Sequence, residues 1–200
     1  KDLNGDGKID NGGNKYDDMG DMKKIGNNTP RYLFGLDLNA DYKGFDFRAF
    51  FQGVMKRDYW QGSAYFWGAT SLWHSTGFVE HADYFRAEAS NDLPANLNAY
   101  YPRPVFDSSK NRQKQTAYLQ SAAYIRLKNV QLGYTLPANL THKFYVSKLR
   151  IFVSGENLWT GTSLANMFDP ETIGGGDDTD KNGNAYPLSK TISFGISVTL

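Results

Sequence analysis

Hydrophobic and polar side chains alternate along five runs of the chain, and this period of two predicts β-strands. The last run is unbroken, because Ile192, Phe194, Ile196 and Val198 alternate with serine, glycine and threonine up to Leu200. Each predicted strand therefore has one apolar and one polar face. The five runs lie at residues 31–42, 45–52, 124–136, 148–154 and 191–200.

Two local features predict how the strands are joined and paired. Only Lys43 and Gly44 separate the first two runs, and a glycine that accepts a positive φ predicts a tight hairpin there. In the third run Leu127 has the opposite parity to Val130, which a β-bulge or a change of register near Asn129 would reconcile.

The lengths of the runs and of their connections favour a membrane barrel over a soluble β-sandwich. Strands of about ten residues exceed the usual five or six and match the roughly 9 to 11 that cross a bilayer. Short connections alternate with long segments at residues 1–30, 55–122 and 160–189, as periplasmic turns alternate with extracellular loops in outer-membrane barrels. Aromatic residues near the run ends match interfacial girdles. They are Tyr32, Tyr42, Phe45, Tyr134 and Trp159.

We therefore predict an all-β fold in which about five long antiparallel strands form one wall of a transmembrane β-barrel. Five strands cannot close a barrel, which needs about eight, so we expect the chain to be part of a larger one. The predicted lipid-facing residues are Tyr32, Phe34, Leu36, Leu38, Phe45, Phe47, Ile192, Phe194, Ile196 and Val198. The predicted lumen-facing residues are Arg31, Asp37, Asn39, Asp41, Arg48 and Gln52.

Composition excludes several other classes of protein. The 22 basic and 21 acidic side chains leave a net charge of +1, which argues against a nucleic-acid binder that relies on phosphate contacts. The chain has no cysteine and therefore no disulfide or thiolate metal site. Mean hydropathy is -0.56, and no apolar run approaches the roughly 18 residues of a membrane helix. No Gly-x-Ser-x-Gly, phosphate-loop or His-Glu-x-x-His motif occurs, so we predict that the chain is not an enzyme.

The first ten residues match the opening of a calcium-binding loop. Acidic and amide side chains alternate there. With loop positions counted from Asp2, Gly7 supplies the sharp turn at the sixth position, and Ile9 supplies the apolar anchor at the eighth. The twelfth position is Gly13, so the closing ligand would come from Asp17, Asp18 or elsewhere. A polar turn without metal is the alternative. The candidate Ca²⁺ ligands are Asp2, Asn4, Asp6, Lys8 through its carbonyl, and Asp10.

The long segment 55–122 is rich in aromatic side chains with two alternative roles. They can stack on a sugar or pack on a peptide, or they can fill the core of a folded loop and face a partner. His74 and His81 have no third ligand at workable spacing, so we predict ordinary loop histidines rather than a metal site. The candidate substrate or partner contacts are Tyr59, Trp60, Tyr65, Trp67 and Trp73.

Several sequence segments occur together in a fixed order along the whole chain. They are KDLNGDGKID, IGNNTPRYLFGLDLNADYKGFDFRAFFQGVMKRD, AAYIRLKNVQLGYTLP, LRIFVSGENLWT, FDPE and YPLSKTISFGISVTL. With these segments the chain resembles the C-terminal end of a SusC/RagA-type TonB-dependent outer-membrane transporter of Bacteroidota. One departure is Leu200, because the final residue of outer-membrane barrels is usually aromatic.

The resemblance implies a function that belongs to a larger protein. It implies a plugged barrel of about 22 strands in the outer membrane, a SusD-like surface lipoprotein as partner, and import of an oligosaccharide or a peptide. Energy would come from TonB through an N-terminal part that these residues do not contain. The competing interpretation from the residues is a secreted, calcium-stabilised β-sandwich that binds carbohydrate through its loop aromatics.

Overall fold

The computed structural model describes residues 1–68, 77–90, 92–106, 110–174 and 185–200. Strands dominate this part of the chain, and the helices are single turns. The strands are β1 (Arg31–Tyr42), β2 (Phe45–Lys56), β3 (Asp58–Trp60), β4 (Leu119–Ser121), β5 (Tyr124–Thr135), β6 (Lys148–Thr162) and β7 (Thr191–Thr199). The helices are α1 (Ala64–Trp67) and α2 (Ala138–Thr141), with 3-10 turns at Val79–Ala82, Lys110–Arg112 and His142–Phe144.

The five long strands form one antiparallel sheet in the order β1-β2-β5-β6-β7. This arrangement confirms the predicted all-β class and all five predicted strands. The sheet is open, with β1 and β7 at its two edges. β2 and β6 run to Lys56 and Thr162, so each is longer than its alternating run. β3 and β4 form a separate two-stranded sheet.

The predicted hairpin and the predicted irregularity are both present. Lys43 and Gly44 take φ values of 47° and 86°, as the tight turn between β1 and β2 requires. In β5 the pairing with both neighbours skips Lys128, which makes this residue the extra one of a β-bulge. The bulge brings Leu127 onto the same face as Val130 and resolves their opposite parity.

Cross-strand register sorts the side chains into two continuous faces. One row across all five strands contains Ala40, Phe47, Leu132, Val153 and Phe194, which are directly paired in turn. Because side chains alternate along a strand, the next row lies on the opposite face.

This opposite row is polar throughout. It contains Asn39, Arg48, Gln131, Ser154 and Ser193, again paired in turn across β1, β2, β5, β6 and β7. No second sheet packs on the apolar face among the described residues, because the only other sheet is the short β3–β4 pair. The β-sandwich interpretation therefore has no support in the described part of the fold.

The two ends of the sheet differ in their connections. At one end lie the two-residue hairpin and the short connection that contains α2, and we call this the turn end. At the other end, the loop end, β3, β4 and α1 pack into a small body above the sheet. Within the described ranges no helix is long and apolar enough to cross a membrane.

The loop body has a core of its own. Its buried hydrophobic residues come from the segment between β2 and β5 and from the segment after β6. β3, β4 and the helices have three or four residues each and therefore carry too short a pattern to be predicted from periodicity. The core residues are Tyr59, Phe66, Trp67, Tyr101, Ala122, Leu164, Phe168 and Ile173.

Candidate functional site

The apolar face of the sheet is exposed across all five strands. Phe194 and Ile196 on β7 are 84% and 71% exposed, and leucine, phenylalanine and isoleucine side chains on the other strands are open as well. A monomeric soluble protein rarely leaves an apolar patch of this extent uncovered. The geometry therefore fits a sheet whose apolar face lies against an apolar medium.

Aromatic residues mark both ends of this face. At the turn end the rings of Phe45 and Tyr134 are 4.5 Å apart between centroids, and Tyr42 is exposed beside them. At the loop end Trp159 is half exposed. Tyr32 departs from the regular row, because its φ of 58° interrupts the alternation at the start of β1. Aromatic residues at these depths match the girdles of membrane barrels.

The polar face carries two bidentate ion pairs. Arg48 on β2 donates to both carboxylate oxygens of Asp37 on β1, at 3.1 and 2.7 Å. Arg150 on β6 donates from Nε to Asp46 on β2 at 2.8 Å, and its second contact with the same carboxylate comes from a terminal nitrogen. Arginine and carboxylate groups suit this paired geometry because the planar fork matches the two oxygens.

The Arg150–Asp46 pair spans two strand spacings, and two glycines make room for it. Gly133 on β5 lies between the partners, and a Cβ there would be 2.6 Å from Asp46 Oδ2. The Arg150 guanidinium also lies 4.8 Å from the ring centre of Phe152, and that ring packs over Gly195 on β7. The resulting cross-strand staple links β2, β5, β6 and β7 on the polar face.

A second charge network holds the segment after β6 against the polar face. We call residues 163–174, which follow β6, the strap. Arg126 on β5 is 2% exposed and donates to Asp169 Oδ2 at 2.8 Å and to Thr160 Oγ1 at 2.8 Å. Glu171 accepts from Lys128 Nζ at 3.0 Å and lies 3.5 Å from Arg126.

Arg57 fixes the strap from a second direction. It follows β2, and its guanidinium donates to the carbonyls of Asn28 at 3.1 Å and Gly174 at 3.0 Å. It also lies 5.1 Å from the ring centre of Tyr59. Burial lowers the pKa of Arg57 from its usual value, because desolvation disfavours the charged form. One buried cation thus joins the N-terminal segment, the strap and the loop core.

The candidate aromatic contacts fall into three groups. Tyr59 and Trp67 are buried in the loop core, where Trp67 Nε1 donates to the carbonyl of Gln61 at 2.7 Å. For these two residues the burial favours the packing role over contact with a ligand. Trp60 is partly buried against Trp67, and Tyr65 is 42% exposed, so contact by these two stays a prediction. Trp73 lies outside the described residues.

The predicted loop histidine His81 has a structural role. Its Nδ1 accepts from the backbone N–H of Phe78 at 2.9 Å, and its Nε2 lies 2.8 Å from the carbonyl of Phe66. These bonds cap the 3-10 turn at Val79–Ala82 and tie it to α1. His74 lies outside the described residues.

The N-terminal acidic segment forms a chain of tight turns. Asp2 accepts from the N–H groups of Gly5 at 2.6 Å and Gly7 at 2.9 Å. Asp21, which the loop pattern did not single out, accepts from the N–H groups of Leu3 and Asp10. These backbone donors, led by that of Leu3, hold the pKa of Asp21 below its usual value.

The other candidate calcium ligands serve the same turns. Asn4 and Asp6 accept from backbone N–H groups two residues further along, and Asp10 accepts from Gly12. Within the described ranges no three Asp, Glu or His side chains are gathered as a metal site requires. Calcium binding by Asp2, Asn4, Asp6, Lys8 and Asp10 therefore stays a prediction.

Comparison with known proteins gives relatives of one kind. "TonB-dependent receptor P3" of Formosa agariphila is 28% identical over 204 residues, which is 98% of this chain and 18% of the relative. "TonB-dependent receptor P26" of the same organism is 28% identical over 211 residues, or 99% of this chain and 19% of the relative. No family model matches the chain.

Solved structures give the same fold. The RagAB peptide importer in its closed-closed state aligns with a TM-score of 0.63 and 24% identity over 88% of this chain. The RagAB peptide transporter aligns with a TM-score of 0.61 and 25% identity over the same share. In both cases 18% of the solved chain is covered.

The open sheet, with one exposed apolar face and one polar face, defines the class as a wall segment of a membrane β-barrel. The relatives agree with this class: over nearly its whole length the chain is similar to TonB-dependent receptors, and this similarity supports the resemblance to the SusC/RagA type. It spans less than a fifth of the length of the relatives that it matches.

Sequence reasoning missed the residues that hold the strap and the staple. The FDPE segment carried the resemblance, but its acids Asp169 and Glu171 were not assigned to any partner. Those partners, Arg126 and Lys128, lie about 43 positions earlier. The bulge in β5 was the one signal that pointed to this region.

Proposed function

We propose that the chain is part of the barrel wall of a TonB-dependent outer-membrane importer. The observation that carries the proposal is the apolar face, which is continuous and exposed across five strands of 9 to 15 residues. A face of this kind is stable only in contact with lipid or another apolar surface. On this proposal the polar face, with its two ion pairs, lines the lumen.

The free edges of the sheet require further strands. Among the described residues, β1 and β7 each pair with a strand on one side only, so their outer backbone N–H and C=O groups need partners within a bilayer. Further strands of the same protein would pair with both edges and close the barrel. The turn end of the sheet would then face the periplasm, and the loop end would face the outside.

The cargo and the partners follow from the class of protein and from the loop end. One related structure is described as a peptide importer, so we propose a peptide or an oligosaccharide as cargo. The loop body exposes apolar side chains, among them Val79, Leu97 and Phe106, which suit contact with a SusD-like surface lipoprotein. TonB would act on parts of the importer outside these residues.

Two neighbouring residues of β7 provide the test. The chain contains no cysteine, so Phe194→Cys and Ser193→Cys each introduce a single labelling site in this segment. In the full-length protein in native membranes, a spin label at position 194 should collide mainly with oxygen dissolved in lipid. A label at position 193 should collide mainly with a water-soluble nickel chelate. Equal accessibility to the chelate at both positions would refute the lipid-facing assignment.

A further inference from the structure

The strap is the part of the loop end that lies directly on the polar face of the sheet. Phe168 is buried in the loop core, and the next residue, Asp169, turns to Arg126. Asp169 also accepts from the backbone N–H of Glu171 at 2.9 Å, which presents both acids to the sheet. The strap thus joins the loop core to the sheet at the acids that follow Phe168.

The charges at this point are buried and complementary. The side chain of Arg126 is 3% exposed, and those of Asp169 and Glu171 are 13% and 16% exposed. A buried cation is tolerated only when carboxylates and hydrogen bonds surround it, and removing one partner leaves an uncompensated charge. The wall side of the contact therefore requires the strap to be in place.

The β-bulge separates the two cations that reach the strap from the apolar residue that follows them in β5. Lys128 is the residue that pairs with neither neighbouring strand, and its Nζ contacts Glu171. Without the bulge, unbroken alternation would place Val130 on the same face as Arg126 and Lys128. The bulge thus lets both cations meet the strap while Val130 lies on the apolar face.

We propose that the strap is a fixed constriction on the lumen wall, which the network of Arg126, Lys128, Asp169 and Glu171 holds closed. The inference rests on the proposed function, because it takes the polar face as the lumen. A solute that enters from the loop end along β5 and β6 has to pass the strap before it reaches Gln131 and Ser154. The strap then limits the size of what passes, independently of the exposed loops.

Two single cysteines in the full-length protein test this inference in whole cells. Ile173→Cys is buried within the strap, and Gln131→Cys lies on the polar face beyond it. Each is combined with Asp169→Asn and Glu171→Gln, which remove the charges of the strap. We expect labelling of position 173 by a small membrane-impermeant maleimide to become at least tenfold faster. Labelling of position 131 by a bulky polymer-linked maleimide should rise as well.

Each alternative result has a defined meaning. If neither position becomes more reactive, the network does not hold the strap. If position 173 opens but position 131 stays closed to the bulky reagent, the strap is not the constriction. Either result overturns the inference. Outer-membrane insertion of the unsubstituted protein, measured in the same cells, tests the proposed function separately.

Two further variants guard against misfolding and against a general effect of lost charge. Glu171→Gln alone keeps the Arg126–Asp169 pair. It should therefore give a smaller rise in the labelling rate at positions 173 and 131 than the double substitution does. Asp37→Asn breaks a separate ion pair on the polar face, the one with Arg48, and should change neither rate. If Asp37→Asn raises labelling as much as the strap variants do, the effect is not specific to the strap and the inference fails.

Discussion

Gly133→Ala is the sharpest test of how the polar face is organised. The added Cβ would lie 2.5 and 2.6 Å from the two carboxylate oxygens of Asp46 and closer still to the Arg150 guanidinium. Gly133 does not have a positive φ in the left-handed region, so alanine itself introduces no backbone strain. Any loss of stability therefore comes from the separation of Asp46 and Arg150.

The expected magnitude follows from two opposing terms. Loss of a charge-assisted, bidentate pair that is mostly shielded from water costs about 1.5–3 kcal/mol. Replacing glycine by alanine within a strand recovers roughly 0.5–1 kcal/mol through lower chain entropy in the unfolded state. We therefore expect a net destabilisation of about 0.5–2.5 kcal/mol. An argument from backbone propensity alone would instead predict that Gly133→Ala stabilises the protein.

The assay is unfolding of the full-length barrel in urea, followed by loss of the compact, fast-migrating band on gels. Gly35→Ala is the matched control, because the nearest atom to its Cβ would be at the end of the Phe50 ring, at 3.3 Å. That variant should be neutral or slightly stabilised. In an Asp46→Ala background, Gly133→Ala should lose most of its cost. An equal cost in both backgrounds would refute the steric reasoning.

Three further predictions concern the lipid face, the loop core and the N-terminal segment. Ile196→Arg, on the exposed apolar face, should cost about 2–4 kcal/mol and lower outer-membrane levels, whereas normal levels would contradict a lipid-facing position. Burial raises the pKa of Tyr101 to about 12. In a spectroscopic titration its phenol should therefore stay protonated well above pH 10, where a free tyrosine ionises, and ionisation near pH 10 would contradict its burial. If Asp2 and Asp6 bind Ca²⁺, millimolar Ca²⁺ should protect residues 1–21 from proteolysis, and the Asp6→Asn variant should lose this protection.

The strands and their faces were predictable because period two is a local property. In β7 every apolar residue of the run lies on the exposed face, and in β5 the parity conflict between Leu127 and Val130 correctly indicated the bulge. The hairpin at Lys43 and Gly44 was equally local. These features depend on residues a few positions apart, so one sequence is enough to find them.

The interactions at the loop end were not predictable in the same way. Whether Trp67 contacts a ligand or fills a core depends on which segments fold around it, and its neighbour Tyr118 is 51 positions away. The two short strands β3 and β4 exist because each pairs with the other across a long connection. Neither has enough residues to show a period of its own.

The sequence by itself therefore determined the class of the sheet, the residues on each of its two faces and the family resemblance. Alternation along a strand sets which side chains share a face, and a shift of the strand register by two residues leaves those faces unchanged. Only the tertiary structure decided which charges meet. Arg150 reaches Asp46 because Gly133 between them has no side chain, and Arg126 meets Asp169 because the strap folds back onto the wall. Ion pairs depend on distances of a few ångströms between residues far apart in the chain, and packing alone sets those distances.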